Sequence, residues 1–283
     1  MKTTILWALL FISACSSQPK KSGDTYNLRK QAESQLELGN KQADRGSLET
    51  ALVLLNEAVR LAIAADDSGL RVRTRLSQSN VLFSLGRREE AVAGWNEALT
   101  EAERAKNAEW AALSRVHLAR GKLLSAGGKT AAQSLRDEVQ RALDIIKSDR
   151  FSVAFAWAVM GLVEKELGRY ADAEAAVRRS LEIHEKDLFL ELAAYDWYMI
   201  ASFRSLSGNY SGALEALGNA AAFDRRVENS WGLASDWRAL GDVYHKMGSR
   251  DAARTAYLRS AEIFRALGNE AAASEALSRL ENR

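Results

Sequence analysis

The sequence is poor in the residues that carry redox and metal chemistry. It has 1 cysteine, Cys15, and 3 histidines among 283 residues. A lone cysteine cannot close an intrachain disulfide, so the body of the protein has to be held together by packing. The histidines His117, His184 and His245 lie far apart, and none belongs to a ligand spacing such as HExxH. We therefore expect neither a metal site nor a cofactor.

Proline and net charge are scarce as well. Pro19 is the only proline, and 39 basic residues against 37 acidic ones leave a formal charge of +2. Nucleic-acid binding relies on a concentrated positive field, so we expect no nucleic-acid partner. With the commonest helix breaker nearly absent, and with 47% hydrophobic residues alongside many good helix formers, the composition predicts an all-helical globular body.

Long hydrophobic runs are missing too. The eight apolar residues 5–12 are too few to span a bilayer as a helix, which takes about 20. Lys2 before this run and small residues after it fit a secretory signal peptide cleaved near residues 13–16. An ordinary secretory signal and a buried N-terminal helix are the alternatives to the lipoprotein interpretation given next.

The residues Ile12-Ser13-Ala14-Cys15 resemble the lipobox of bacterial lipoproteins. The resemblance implies cleavage before Cys15 and attachment of acyl chains such as palmitate, which together make a stable membrane anchor. Ser16, where retained lipoproteins carry aspartate, favours the periplasmic face of the outer membrane. We thus expect a signal peptide over 1–14, a lipidated cysteine with a flexible spacer over 15–25, and the folded body over 26–283.

The body has an internal repeat of about 40 residues. A glycine recurs at intervals of 40 or 41, and an alanine follows each one five residues later. Such a glycine suits the end of one helix, and the alanine lets the next helix pack closely, which predicts helical hairpins. The glycines are Gly46, Gly86, Gly127, Gly168, Gly208 and Gly248. Trp157, Trp197 and Trp237 stand eleven residues before the last three turns with small residues opposite, so we expect them in the core.

The repeat resembles the tetratricopeptide repeat, most closely in the sixth unit, which has Trp237, Leu240, Gly241, Tyr244, Gly248, Ala253 and Tyr257. The resemblance implies an all-α, right-handed solenoid of about six hairpins, with residues 270–281 as a capping helix. A period near 40 instead of 34 implies extra residues in the second helix or in the link, as in longer-helix scaffold and cargo-adaptor proteins. The third unit, around residues 125–132, fits only if its two helices are slightly offset.

In that family the concave face, formed by the first helix of each hairpin, binds a peptide or protein. The positions carried over by the resemblance are Arg73, Asn80, Arg115, Lys122, Tyr195, Tyr198, Arg238 and His245, with Phe83, Phe155, Lys165 and Asp242 beside them. Arginine, amide and tyrosine side chains suit a peptide ligand. The alternative is that the aromatic residues pack between helices and the arginines are ordinary solvated charges.

No pattern of a catalytic site emerges. The stretch GKLLSAGGKT, residues 121–130, lacks the first glycine of a phosphate-binding loop and falls on a turn between two helices. We therefore expect no enzyme, but a membrane-anchored periplasmic scaffold or adaptor that binds a protein or peptide in cell-envelope assembly. The alternative is a carrier that passes a small ligand to a transporter.

Overall fold

The computed structural model describes residues 23–281, leaving out the side chains of residues 126 and 281. The predicted signal peptide and the lipidated Cys15 lie outside the described residues. The first helix begins at Asp24, two residues before the boundary expected for the body.

Within the described range the chain is built from thirteen α-helices joined by short turns. Their bounds are α1 Asp24–Asp44, α2 Leu48–Ala64, α3 Ser68–Ser84, α4 Arg88–Arg104, α5 Ala108–Ala126, α6 Lys129–Ile145, α7 Arg150–Glu166, α8 Tyr170–Lys186, α9 Leu190–Leu206, α10 Tyr210–Arg226, α11 Ser230–Lys246, α12 Arg250–Ala266 and α13 Glu270–Glu281. Each helix packs against the next, so α1 to α12 form six consecutive hairpins and α13 covers the last one. The all-α solenoid with a capping helix is confirmed.

The 40-residue period follows from the helix lengths. From α7 to α12 every helix has 17 residues and every link has three. A 34-residue unit with such links has room for helices of about 14 residues each. The prediction that the extra residues lie in the second helix or in the link was therefore incomplete, because the first helix is lengthened by as much as the second.

The turn glycines adopt the left-handed backbone that was predicted for them. Gly86 has φ 78°, and the amides of Gly86 and Arg87 bond back to the carbonyls of Phe83 and Leu82. This pattern of hydrogen bonds ends a helix, and its backbone conformation is unfavourable for any residue that has a Cβ atom. The third hairpin differs, since α5 runs to residue 126 and both Gly127 and Gly128 have positive φ. The two helices of that unit are offset, as the sequence indicated.

Four of the links between hairpins use the same conformation without glycine, and the link of residues 146–149 does not use it. Asp66, Lys106, Leu188 and Glu228 have φ between 50° and 61°, and Gly268 has φ 75°. A left-handed backbone strains residues that carry a Cβ. Apart from Gly268, before the capping helix, no glycine marks these links, so the sequence repeat reveals only one turn in each unit.

Small residues inside the hairpins allow the two helices to approach closely. A Cβ added to Gly161 would lie 2.4 Å from a methyl carbon of Val177. In the second hairpin Ser79 replaces the glycine, and Gly94 on the facing helix supplies the space instead, where a Cβ would lie 2.2 Å from the Ser79 hydroxyl oxygen. The close approach is thus kept when the glycine changes helix.

The tryptophans expected in the core are only partly enclosed. Trp157 and Trp197 pack against the core but remain partly exposed, and Trp237 is partly exposed as well. The guanidinium of Arg179 covers the Trp157 ring at 4.3 Å, so a cation–π contact replaces burial on one face. The fully buried indole is that of Trp95, which the repeat pattern did not single out.

Candidate binding groove

The first helices of the hairpins line the inner side of the solenoid. Among alternate helices, the closest packing is between first helices, as in α1 with α3 and α5 with α7. In a curved stack the elements on the concave side are crowded together and those on the convex side are spread apart. The predicted binding residues, all on α3, α5, α9 and α11, therefore lie on the helices of the concave side.

Two tyrosines form the main exposed aromatic feature on these helices. The rings of Tyr195 and Tyr198 on α9 lie 6.4 Å apart with an angle of 11° between their planes. Tyr195 is 49% exposed, and burial raises the pKa of the more enclosed Tyr198. Stacked tyrosines of this kind offer apolar surface and hydroxyl groups to a ligand.

Charged groups of the sixth hairpin lie beside the tyrosine pair. Arg238 and Asp242 on α11 are near enough to Tyr198 to influence its ionisation. Arg238 pairs with Glu275 of the capping helix at 3.0 Å. Asp242 accepts hydrogen bonds from the Arg279 guanidinium at 2.8 and 3.0 Å and from the Tyr257 hydroxyl at 2.8 Å, so the cap already engages this carboxylate.

The predicted residues on α3 and α5 divide into packed and free ones. The Asn80 amide oxygen accepts a hydrogen bond from Trp95 Nε1 at 3.2 Å and lies 3.0 Å from His117 Nδ1. His117 in turn stacks on Phe155, with ring centroids 4.2 Å apart. Asn80 and Phe155 thus pack between helices, as in the alternative interpretation. Phe83 also packs, with its ring centroid 5.6 Å from that of Trp95.

His117 is held neutral in this setting. Burial, followed in importance by the nearby charge of Arg120, lowers the pKa of His117 to about 3. A neutral ring carries its proton on Nδ1 here, because that nitrogen faces the Asn80 oxygen. His117 carries no sequence signal for this role, because its place in a network with Asn80 depends on side chains from three helices.

The remaining candidates keep exposed charge. Arg73 approaches Glu33 at 4.0 Å, and Arg115 pairs with Glu103 at 2.7 Å. Lys122 and His245 are exposed, and within residues 23–281 their side chains make no hydrogen bond or ion pair. Lys165 pairs with its neighbour Glu166 at 3.3 Å.

The first hairpin also touches the last third of the chain. A Cβ added to Gly46, in the turn between α1 and α2, would lie 2.6 Å from ring carbons of Trp231 at the start of α11. Asp44 at the end of α1 is exposed and lies near enough to Glu191 at the start of α9 for the two charges to repel. We call this contact the closure; it brings hairpin one against hairpins five and six.

The clefts elsewhere on the surface are open to solvent. One of about 720 Å³ is lined by Lys129, Thr130, Gln133, Ser134, Asp137, Leu167 and Arg169. Over residues 23–281 no group of three or more histidine, cysteine, aspartate or glutamate side chains is placed to hold a metal ion. In the same range, no helix combines the length and the apolar character that crossing a membrane requires.

Comparison with known proteins agrees with this architecture. A family model described as tetratricopeptide repeat matches residues 237–266, which cover most of α11 and all of α12. No curated protein matches the chain.

Solved structures resemble the fold over most of the chain. A Rap protein complexed with Competence and Sporulation Factor has a TM-score of 0.61 at 16% identity, covering 89% of this chain and 74% of that one. BtubC from P. vanneervenii has a TM-score of 0.57 at 17% identity, covering 84% and 92%. The apo form of RapI has a TM-score of 0.53 at 17% identity, covering 88% and 96%. The protein is therefore an all-α solenoid that carries a tetratricopeptide repeat in its sixth hairpin.

Proposed function

We propose that this protein is a lipid-anchored periplasmic scaffold that binds a protein or peptide partner on its concave face during cell-envelope assembly. Tetratricopeptide repeats are in general non-catalytic interaction modules, and one of the similar solenoids was solved in complex with Competence and Sporulation Factor. The observation that carries the proposal is the exposed, stacked Tyr195–Tyr198 pair on a first helix.

The chemistry around the pair indicates what it binds. An apolar side chain can lie against the tyrosine rings, and a carboxylate can reach Arg238, whose present partner Glu275 is itself 53% exposed. Ion pairs with an exposed partner contribute little, typically below about 1 kcal/mol, so a ligand carboxylate can take the place of Glu275 on the partly buried Arg238. We expect an extended segment with an apolar residue next to an acidic one.

The anchor and the location rest on the sequence Ile12-Ser13-Ala14-Cys15 followed by Ser16. We expect mass spectrometry of the envelope protein to find acyl chains on an N-terminal Cys15. Cys15→Ser abolishes the modification, and Ser16→Asp moves an acylated protein to the inner membrane. An unmodified Cys15 within a mature protein contradicts the anchor but leaves the groove untouched.

The binding face is tested by photo-crosslinking in cells. Probes at Tyr195 and Lys122 sit on first helices, and probes at the exposed Val53 and Val92 on the second helices α2 and α4 are matched controls. A discrete protein adduct from the first pair alone supports the proposal and identifies the partner. Equal adducts from both pairs, or none from a folded and anchored protein, argue against it.

A further inference from the structure

Two buried carboxyl groups face each other where hairpin five meets hairpin six. Asp224 near the end of α10 is 4% exposed and Asp236 on α11 is 2% exposed. Each carboxyl group influences the ionisation of the other, and the two stand at the repeat positions that His184 and Asp196, 2.7 Å apart, occupy one junction earlier. Two ionised carboxylates cannot share such a site, so a proton has to lie between them.

The remaining contacts of the pair agree with one shared proton. Asn229 Nδ2 donates to Asp224 Oδ1 at 2.9 Å, which stabilises charge on Asp224. Asp236 Oδ2 is buried and has no partner among the described residues when it is treated as a bare acceptor. A proton on this carboxyl group lets Asp236 donate a hydrogen bond, which the Asp224 carboxylate can accept.

The preceding junction holds a different pair at the equivalent positions. Forty residues earlier the equivalent positions are His184 and Asp196, whose Nδ1 and Oδ2 atoms lie 2.7 Å apart. Histidine supplies its own proton to the carboxylate, whereas aspartate at position 224 can do so only by taking a proton from solvent. The fifth-to-sixth junction is thus the protonation-dependent version of a contact that the neighbouring junction makes with a histidine.

The pair is connected to the closure through a short chain of contacts. Asp224 holds Asn229, and the Asn229 side-chain oxygen accepts the Gly232 amide at 3.1 Å, capping α11. The first turn of α11 carries Trp231, which packs on Gly46 of the first hairpin. The charge state of the pair therefore acts on the helix turn that makes the closure.

We propose that the Asp224–Asp236 pair is a proton-dependent latch that keeps the first and sixth hairpins in contact and opens the solenoid when its proton is lost. This inference concerns the protein without any partner and goes beyond the proposed function.

The charged groups around the latch act mostly in the same direction. Desolvation, aided by the charge of Asp224, raises the pKa of Asp236 to about 8 despite the opposing charge of Arg225 on α10. Desolvation, with Glu191 on α9, raises the pKa of Asp224 to about 6. Asp44 lies near the same Glu191, so carboxylates stand close together on both sides of the closure.

The sign follows from these shifts. Raised pKa values mean that the closed form binds more protons than an open or unfolded form, so closure is strongest at acidic pH and weakens as pH rises. The closed form loses its advantage between the ordinary aspartate pKa, near 4, and the raised values, so the share of Asp224 is lost by about pH 6 and that of Asp236 by about pH 8.

Spin labels across the closure measure this step. In the full chain with Cys15→Ser, cysteines replace Ser47 and Ser230, the exposed neighbours of Gly46 and Trp231. We expect dipolar broadening of the spectrum at pH 6.5 and loss of most of it at pH 9. In Asp236→Asn, whose amide donates to Asp224 without titrating, the broadening should persist at pH 9.

Matched variants separate the latch from general damage. Asp196→Asn alters the same position one hairpin earlier and should leave the wild-type loss of broadening unchanged. Should Asp236→Asn not fold, Asp224→His rebuilds the histidine–aspartate pair of the preceding junction and should keep the broadening at pH 9. Broadening that survives at pH 9 in the wild-type closure, or is lost equally in the latch variants, overturns the proposal.

Discussion

Replacing Asn80 by alanine distinguishes a structural residue from a binding residue. The Asn80 oxygen serves Trp95, whose indole is fully buried, and His117, which is 6% exposed. Alanine removes the acceptor and leaves two buried N–H groups without a partner, at about 1–3 kcal/mol each. We expect Asn80→Ala to lower the free energy of unfolding by about 2–4 kcal/mol.

Urea denaturation followed by circular dichroism gives the free energy, and hydrogen exchange of α3, α4 and α5 localises the loss, because solenoids do not always unfold in one step. Asn96→Ala on the exposed face of α4 is the matched control and should change stability by less than about 0.7 kcal/mol. A fully stable Asn80→Ala protein that no longer crosslinks from Lys122 would refute the structural interpretation.

The same network predicts a pH dependence. Because His117 is neutral in the folded protein with a pKa near 3, while an unfolded histidine titrates near 6.5, the unfolded chain binds more protons between these values. The stability contributed by His117 is present above about pH 6.5 and falls as pH is lowered toward 3. Asp224 and Asp236, whose pKa values are raised, oppose this trend. The test is therefore how the difference in unfolding free energy between wild type and His117→Gln changes with pH. A difference that stays constant between about pH 3 and 6.5 would show that His117 does not titrate in this way.

Further substitutions test the packing. Gly161→Ala places a methyl group against Val177 and should destabilise the protein by about 1–3 kcal/mol, whereas Gly218→Ala, with open space around it, should stabilise α10 by about 0.5–1 kcal/mol; equal melting temperatures would contradict the packing argument. Leu188→Gly relieves a left-handed residue that is 73% exposed and should stabilise by up to about 1 kcal/mol, and a loss of stability would show that the leucine makes a contact worth more than its strain. Trp95→Ala should cost about 3–5 kcal/mol by denaturation, and a cost near zero would be incompatible with its full burial.

The hairpins could be derived from the sequence because their determinants are local. Gly86 ends a helix, and Ala91 packs five residues later, whatever the rest of the chain does. The offset of the third unit was visible for the same reason, in the double glycine at 127 and 128. The left-handed links at Leu188 and Glu228 were missed because leucine and glutamate are not residues that mark such a backbone.

The groove was predictable only as a set of helices. Repeat position places Tyr195 and Asn80 on first helices alike, but whether a side chain stays free depends on its neighbours. Asn80 meets Trp95 from the same hairpin and His117 from the next, while Tyr195 meets chiefly its own helix neighbour Tyr198. The closure was out of reach, since Gly46 and Trp231 meet only after the rotations of five hairpins have accumulated.

That closure has a consequence for how the chain could have changed over time. In an open solenoid each hairpin contacts only its neighbours, so a whole unit can be duplicated or lost with little effect on the others. Here the turn at Gly46 has to arrive opposite Trp231, and adding or deleting one hairpin between them would carry the two apart. The contact between the first and sixth hairpins therefore forms only with the present number of repeats. Selection for this contact would keep the number of hairpins constant.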